Sequence, residues 1–325
     1  MSGWVRESIA VFLGISVGTC LAVVSQVYNL GGEWQDFMLA WSLLAVPLVW
    51  LLRSSAGACL YMLAITVWAC GGPWWGSSTR WMETMWYPLL LLPLLPWWPG
   101  REWRKPAWPP LGFSWVAAPC LMIASLAITE RLPDLPHLAM MQMVLALAAV
   151  FVLLPGQDAG FGRRPFMVTG SLVLFGCGLV LSSDDYGRNS EVADHVLKLP
   201  LFWLYAVVGL ALLVGVVRAR RWASLSIAAI AVLPLLKGAL PDGGAWLLVN
   251  ALLFVTGIFM IMPAFRGETG SPRLGAALLS MVVITRFLDS DLPLLGKGVG
   301  FILVGIGFLV FNIALARRTK VRTTP

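Results

Sequence analysis

Glu33 and Asp36 are the first side chains in the sequence with a type and spacing suited to chemistry. They stand three apart behind a Gly31-Gly32 turn, in the run QVYNLGGEWQDFMLAW. Two carboxylates so placed can hold a divalent cation or act as a general base. They equally suit a helix start, with Asp36 as cap and Glu33 one turn away. Glu191, Asp194 and His195 form a second group, in SDDYGRNSEVADHVLK. At i, i+3 and i+4 they would share one helical face, a spacing that suits a metal. A solvated polar loop is the other reading, and Asp184-Asp185-Tyr186-Gly187 lacks the calcium-loop pattern. A third group is Arg286, Asp289, Asp291 and Lys297, around a turn closed by Pro293. These charges can serve a substrate, or pair with one another and fix a hairpin at a membrane edge. Glu33, Asp36 and Asp289 are thus the candidate catalytic groups. Arg286, Asp291, Lys297, Gln142 and Asn250 are the candidate substrate contacts, and Gln142 and Asn250 also suit interhelical hydrogen bonds. Hydrolase, zinc-protease and dinucleotide signatures are missing, and GKGVG lacks the phosphate-loop spacing, so no cofactor is expected.

Composition decides the class of fold that carries these groups. Of 325 residues, 59% are hydrophobic and 12% charged, and mean hydropathy is +0.82. A soluble domain is about 25% charged. The balance excludes an ordinary soluble enzyme, a disordered chain, a collagen-like fibre and a disulfide-rich secreted module. The apolar residues come in blocks and do not alternate, which excludes an outer-membrane barrel. Cys20, Cys59, Cys70, Cys120 and Cys177 lie in or at the ends of these blocks and read as small buried hydrophobes.

Twelve blocks have a length near that of a spanning helix, about 17–25 residues. They are Ser8–Tyr28, Phe37–Leu52, Ala56–Cys70, Met82–Trp98, Phe113–Thr129, Leu138–Leu154, Pro165–Ser182, Leu199–Val217, Trp222–Leu236, Gly244–Pro263, Leu274–Phe287 and Leu294–Ala316. The first is too long for a signal core and has no A-x-A site after it, so it is read as a retained helix. The sequence therefore predicts an all-α membrane protein, a bundle of about 12 transmembrane helices in a single polytopic domain over residues 1–325. Gly14/Gly18 and Gly296/Gly300 offer small-x-x-x-small faces for close helix packing.

Charge gives the orientation. With a cytoplasmic N-terminus, 16 of the 23 Lys and Arg residues fall on the cytoplasmic side and seven outside, while 12 of the 16 Asp and Glu residues fall outside. That basic bias places both termini in the cytoplasm. The net charge of +7 is thus an orientation signal, and nucleic acid is not an expected partner. Ten of the 17 Trp lie between Trp68 and Trp115, grouped at hairpin ends where the ring suits the headgroup level.

Two runs carry a resemblance. QVYNLGGEWQDFMLAWSLLAVPLVWLLRS places Tyr28, Gly31, Gly32, Phe37 and Trp41, and RFLDSDLPLLGKGVGFILVGIGFLVFN places Phe287, Asp289, Lys297 and Gly305. Both are similar to an uncharacterised bacterial polytopic membrane family, domain-of-unknown-function family 2157. The resemblance implies a multi-pass protein of the bacterial inner membrane, and no reaction.

Three function classes follow. Helix number and hairpin repetition fit passage of a small or lipidic solute, with no coupling carboxylate at mid-depth. Short loops fit a non-catalytic envelope scaffold or accessory subunit. The outer carboxylates fit an envelope enzyme acting on a lipid-linked substrate. The expected partners are membrane lipids, with an envelope protein or a second copy as the protein partner.

Overall fold

The computed structural model describes residues 3–29, 32–71, 86–97, 108–130, 137–154, 164–181, 200–219, 221–232, 244–266 and 272–289, with single positions at Val299, Ile302, Gly305, Ile306 and Leu309. All regular structure among the described residues is helical. In order the helices are α1 (Gly3–Val27), α2 (Trp34–Leu52), α3 (Ser55–Cys70), α4 (Tyr87–Leu90) with a 3-10 segment (Leu92–Trp97), α5 (Trp108–Glu130), α6 (His137–Leu153), α7 (Pro165–Leu181), α8 (Pro200–Arg218), α9 (Trp222–Ala229) with a 3-10 turn (Ile230–Val232), α10 (Gly244–Arg266) and α11 (Pro272–Asp289).

Three described helices are long and apolar enough to cross a membrane: Trp4–Val27, Trp34–Leu52 and Gly112–Glu130. At 1.5 Å per residue, the first of these reaches about 36 Å, against a hydrocarbon core of about 30 Å. Shorter apolar helices include Ser55–Cys70, Ala139–Leu153 and Phe202–Arg218.

Two apolar blocks depart from the continuous helices the sequence predicts. The described part of Met82–Trp98 is a four-residue helix followed by a 3-10 segment. Pro93 and Pro96 have no N–H, so each removes one helical hydrogen bond from this stretch. The block Trp222–Leu236 is α-helical for eight residues and then tightens to 3-10 through Val232, two residues before Pro234. Block Leu294–Ala316 falls largely outside the described residues; its five described positions are helical.

The chain divides into two compact units, Met1–Ser171 with Val192–Leu212, and Leu172–Glu191 with Leu213–Pro325. In the first, α3 is central, packing on α1, α2 and α5, while α5 packs on α6. The inward face of α3 is dense with small and apolar residues: Ala58, Met62, Ile65 and Ala69 are fully buried. Lipid tails are as apolar as leucine, so association in a membrane depends on close approach and hydrogen bonds. Both are present. A Cβ on Gly18 would lie 2.9 Å from the Trp41 indole, and the indole Nε1 donates to the Gly14 carbonyl at 2.8 Å. The Gly14/Gly18 face is therefore a helix contact, as its spacing predicts.

In the second unit α10 packs on α11 and on α9. Gly257 and Gly275 meet at the α10–α11 crossing, where a Cβ on Gly275 would lie 2.7 Å from the Gly257 carbonyl oxygen. Among the five cysteines, Cys70 and Cys120 are buried, Cys59 and Cys177 are half-buried, and all are free thiols. Cys20 is exposed on the apolar surface of α1, which corrects its reading as a buried residue.

Candidate functional site

The site is built on the interrupted helix. In a continuous α-helix the Leu90 carbonyl accepts from the N–H of residue 94. Here the Leu94 N–H donates to the Leu91 carbonyl at 3.0 Å, a one-residue-shorter bond. Leu90 thereby loses its helical donor, and the Tyr61 hydroxyl of α3 donates to that carbonyl at 2.8 Å. Farther along, the Trp50 indole of α2 donates to the Pro93 carbonyl at 3.0 Å. Non-helical backbone at membrane depth is tolerated only where protein or enclosed water satisfies it. These two donors supply that satisfaction from neighbouring helices.

Beside them lies a buried hydroxyl pair. The Thr66 hydroxyl donates to the Met62 carbonyl at 2.8 Å, and its oxygen stands 3.2 Å from the Tyr87 hydroxyl. Tyr61, Thr66 and Tyr87 are 2, 5 and 3% exposed. Cys120 of α5 lies close to Thr66. The pairs Thr66–Tyr87 and Tyr61–Leu90 run in opposite directions along the chain, so the interrupted element lies antiparallel to α3. The set is uncharged. It can donate to and accept from a neutral polar group, and it holds no nucleophile–base pair.

A second polar cluster fastens α1 to the start of α3. The Glu7 carboxylate of α1 accepts from the Ser54 hydroxyl at 2.5 Å and from the Ala56 N–H at 2.8 Å. Ser54 is fully buried, and its hydroxyl oxygen accepts from the Gly57 N–H at 3.0 Å as the N-cap of α3. An anion at a helix N-terminus also meets the positive end of its dipole. Arg6 stands 3.6 Å from Glu7. The turn before Ser54 requires Arg53 at φ 44°, the left-handed region.

The residues singled out in the sequence are placed as follows. Glu33 is the N-cap of α2, extended at φ −77° and ψ 152°, and its carbonyl accepts from the N–H of Asp36 and of Phe37. Its side chain makes no capping bond. Asp36 sits inside the first turn, so the capping position belongs to Glu33, which corrects the expected assignment. Both side chains are exposed. Gln142 is buried in α6 and Asn250 half-buried in α10. Arg286 and Asp289 lie in the last turn of α11. Asp291, Lys297, Glu191, Asp194 and His195 lie outside the described residues. Among the described residues, no three His, Cys, Asp or Glu side chains gather as a metal site. Sequence reasoning missed Tyr61, Thr66, Tyr87, Trp50 and the Glu7–Ser54 pair. The usable signals were three prolines, Pro88, Pro93 and Pro96, inside one apolar block, and the Ser54-Ser55 pair before the block Ala56–Cys70.

Residues 2–58 match a family described as "Predicted membrane protein (DUF2157)". The match contains the run from Gln26 to Ser54 that carries the N-terminal resemblance, together with Glu7, Gly14, Gly18 and Trp41. The C-terminal run from Arg286 lies outside it. No curated protein and no solved structure matches the chain.

Proposed function

We propose that this membrane protein is a multi-pass protein of the bacterial cytoplasmic membrane, with both termini inside, that passes a small or lipidic solute. One observation carries the reading: each compact unit contains an apolar block whose described part passes from α-helix into a 3-10 segment, residues 87–97 in the first and 222–232 in the second. They are the fourth and the ninth of the twelve apolar blocks, the fourth counted from either end. Transporters commonly build their solute sites from discontinuous helices in matching positions of two halves, because an unwound stretch offers carbonyls that a helix would consume. The hydroxyls of Tyr61, Thr66 and Tyr87 beside the first break suit a neutral solute.

Two measurements on reconstituted protein test this. Stopped-flow swelling of proteoliposomes in neutral solutes of graded size reads small-solute passage, and dithionite quenching of a fluorescent phospholipid reads lipid passage. Rates above protein-free vesicles in either assay are expected. Rates equal to protein-free vesicles in both would overturn the reading. For orientation, single cysteines at Asp185 and Arg220 should label from opposite faces; labelling from one face would refute the topology.

A second reading is a scaffold or accessory subunit. The observation that favours it is that Tyr61 and Trp50 already satisfy the freed carbonyls, as a fixed core element requires. It expects a stable co-purifying envelope protein and no flux. An enzyme using Glu33, Asp36, Arg286 and Asp289 expects Asp36→Asn and Asp289→Asn to abolish turnover of a lipid-linked substrate while the fold is retained.

A further inference from the structure

The interrupted element has two unlike faces. Tyr87, Leu90 and Leu94 turn inward and are 3, 8 and 0% exposed. Trp86, Leu89, Leu92 and Leu95 turn outward and are 53–61% exposed. It is thus a strap laid on the first unit rather than a rod threaded through it. Its attachment is also unusual. The polar bonds that tie it to its neighbours come from side chains of other helices: Tyr61 to the Leu90 carbonyl, Trp50 to the Pro93 carbonyl, and Thr66 with the Tyr87 hydroxyl.

We infer that residues 87–97 form a movable strap, that Tyr61 and Trp50 are its latch, and that the groups it covers form a site for a neutral solute bearing hydroxyl or amide groups. Three features support motion. The 3-10 segment has poorer hydrogen-bond geometry than an α-helix and often marks a hinge. Pro93 and Pro96 have no N–H, so movement at those residues breaks no backbone bond of theirs. The latch bonds sit at two carbonyls three residues apart, Leu90 and Pro93, so releasing both leaves only the Thr66–Tyr87 contact, at the strap's first residue, among these polar ties. Lifting the strap would leave the Tyr61 and Thr66 hydroxyls of α3 facing the vacated space. These offer donors and acceptors without charge. A neutral polar solute can replace the lost bonds one for one, whereas an ion would lie in low dielectric without a counter-charge.

The inference rests on the transport reading for its purpose, but its test is independent of flux. Backbone hydrogen exchange is measured on the intact protein in lipid nanodiscs, for the wild type, Tyr61→Phe, Trp50→Phe and the double variant. Phenylalanine keeps the ring of Tyr61 and removes only the hydroxyl, and Trp50 is half exposed, so the fold has little reason to fail. An interhelical hydrogen bond in a membrane is worth about 0.6–1 kcal/mol, which corresponds to about three- to fivefold in an opening equilibrium. Exchange across 87–97 should therefore rise about three- to fivefold in each single variant and about tenfold or more in the double variant. Exchange in α3 and α5 should hold at the wild-type rate. An unchanged strap in the double variant would overturn the inference. So would an equal rise over α3 and α5, which would mark general loosening. Faster strap exchange without solute flux would leave the strap and remove the transport reading. Flux with unchanged strap exchange would do the reverse.

Discussion

Gly275→Ala tests whether the α10–α11 crossing is a true backbone contact. A Cβ added there would stand 2.7 Å from the Gly257 carbonyl oxygen, 2.7 Å from Ile261 Cγ1 and 2.9 Å from Met260 Cβ. Ordinary contact begins near 3.4 Å, so the helices must part by about 0.7 Å if they do not deform. The blocking atom belongs to backbone, which has no rotamer to change. A gap of that size forfeits about a quarter to a half of each atom-pair attraction, itself about 0.1–0.2 kcal/mol. Over on the order of 30 atom pairs in the crossing, the loss is about 1–2 kcal/mol, within the usual range for overpacking. Alanine returns at most about 1 kcal/mol through helix propensity. The net expectation is a loss of about 1 kcal/mol. Gly176 in α7 is the control, because a Cβ there meets nothing within 4 Å. Gly176→Ala should be neutral or up to about 1 kcal/mol stabilising. Reversible unfolding by SDS in mixed micelles, followed by far-UV circular dichroism, measures both. Gly275→Ala should rank below wild type and Gly176→Ala at or above it, about 1–2 kcal/mol apart. Equal midpoints for the two variants would refute the close crossing.

Two further outcomes can be read in the same assay. Ser54→Ala and Glu7→Ala should each cost about 1 kcal/mol as lost capping bonds; the double variant should cost less than their sum, since both groups serve the N-terminus of α3. Additive losses would show that the two act separately. Gly18→Ala should cost about 1–2 kcal/mol more than Gly14→Ala. Its Cβ would press on the Trp41 indole, which its bond to the Gly14 carbonyl holds in place, whereas a Cβ on Gly14 meets only the Leu60 Cδ2 methyl at 2.8 Å.

Much of the helical frame was legible in the sequence, for a physical reason. A lipid-facing helix must be apolar over its whole length, so blocks such as Phe37–Leu52 and Gly244–Pro263 announce themselves by composition and land within a few residues of α2 and α10. Gly14 and Gly18 were legible as a contact face because only small residues admit a close neighbour. What they contact was not, since Trp41 reads equally well as an interfacial anchor. The 3-10 segments at Leu92–Trp97 and Ile230–Val232 were hidden because hydropathy is blind to backbone hydrogen bonding: leucine and proline in LLLLPLLPWW are apolar alike. Tyr61 was hidden for the converse reason. Its importance comes from a carbonyl 29 residues away, and that carbonyl is free only because the helix breaks. The carboxylates had stood out by type alone, and at Glu33 and Asp36 type led to an exposed helix start.

The family match and the interrupted element divide the first unit between them, and α3 joins the two. Residues 2–58 end one turn into α3, where the bonds from Glu7 and Ser54 land on Ala56 and Gly57. That region therefore contains a fastening complete in itself: α1 is tied to α2 by Trp41 and to the start of α3 by Glu7. Past residue 58, α3 keeps its contact with α1 through Leu60 and also presents Tyr61 and Thr66 to the strap. Fixing the N-terminal end of α3 matters to the strap because Tyr61 lies only a turn and a half beyond Ala56. A rotation of α3 would carry the Tyr61 hydroxyl off the Leu90 carbonyl. Glu7 and Ser54 set that rotation, so the matched region supplies the footing and the unmatched region the working part. The functional reading accordingly stands mainly on the geometry after residue 58, beyond the matched residues, with Trp50 as the one latch group that the matched region supplies.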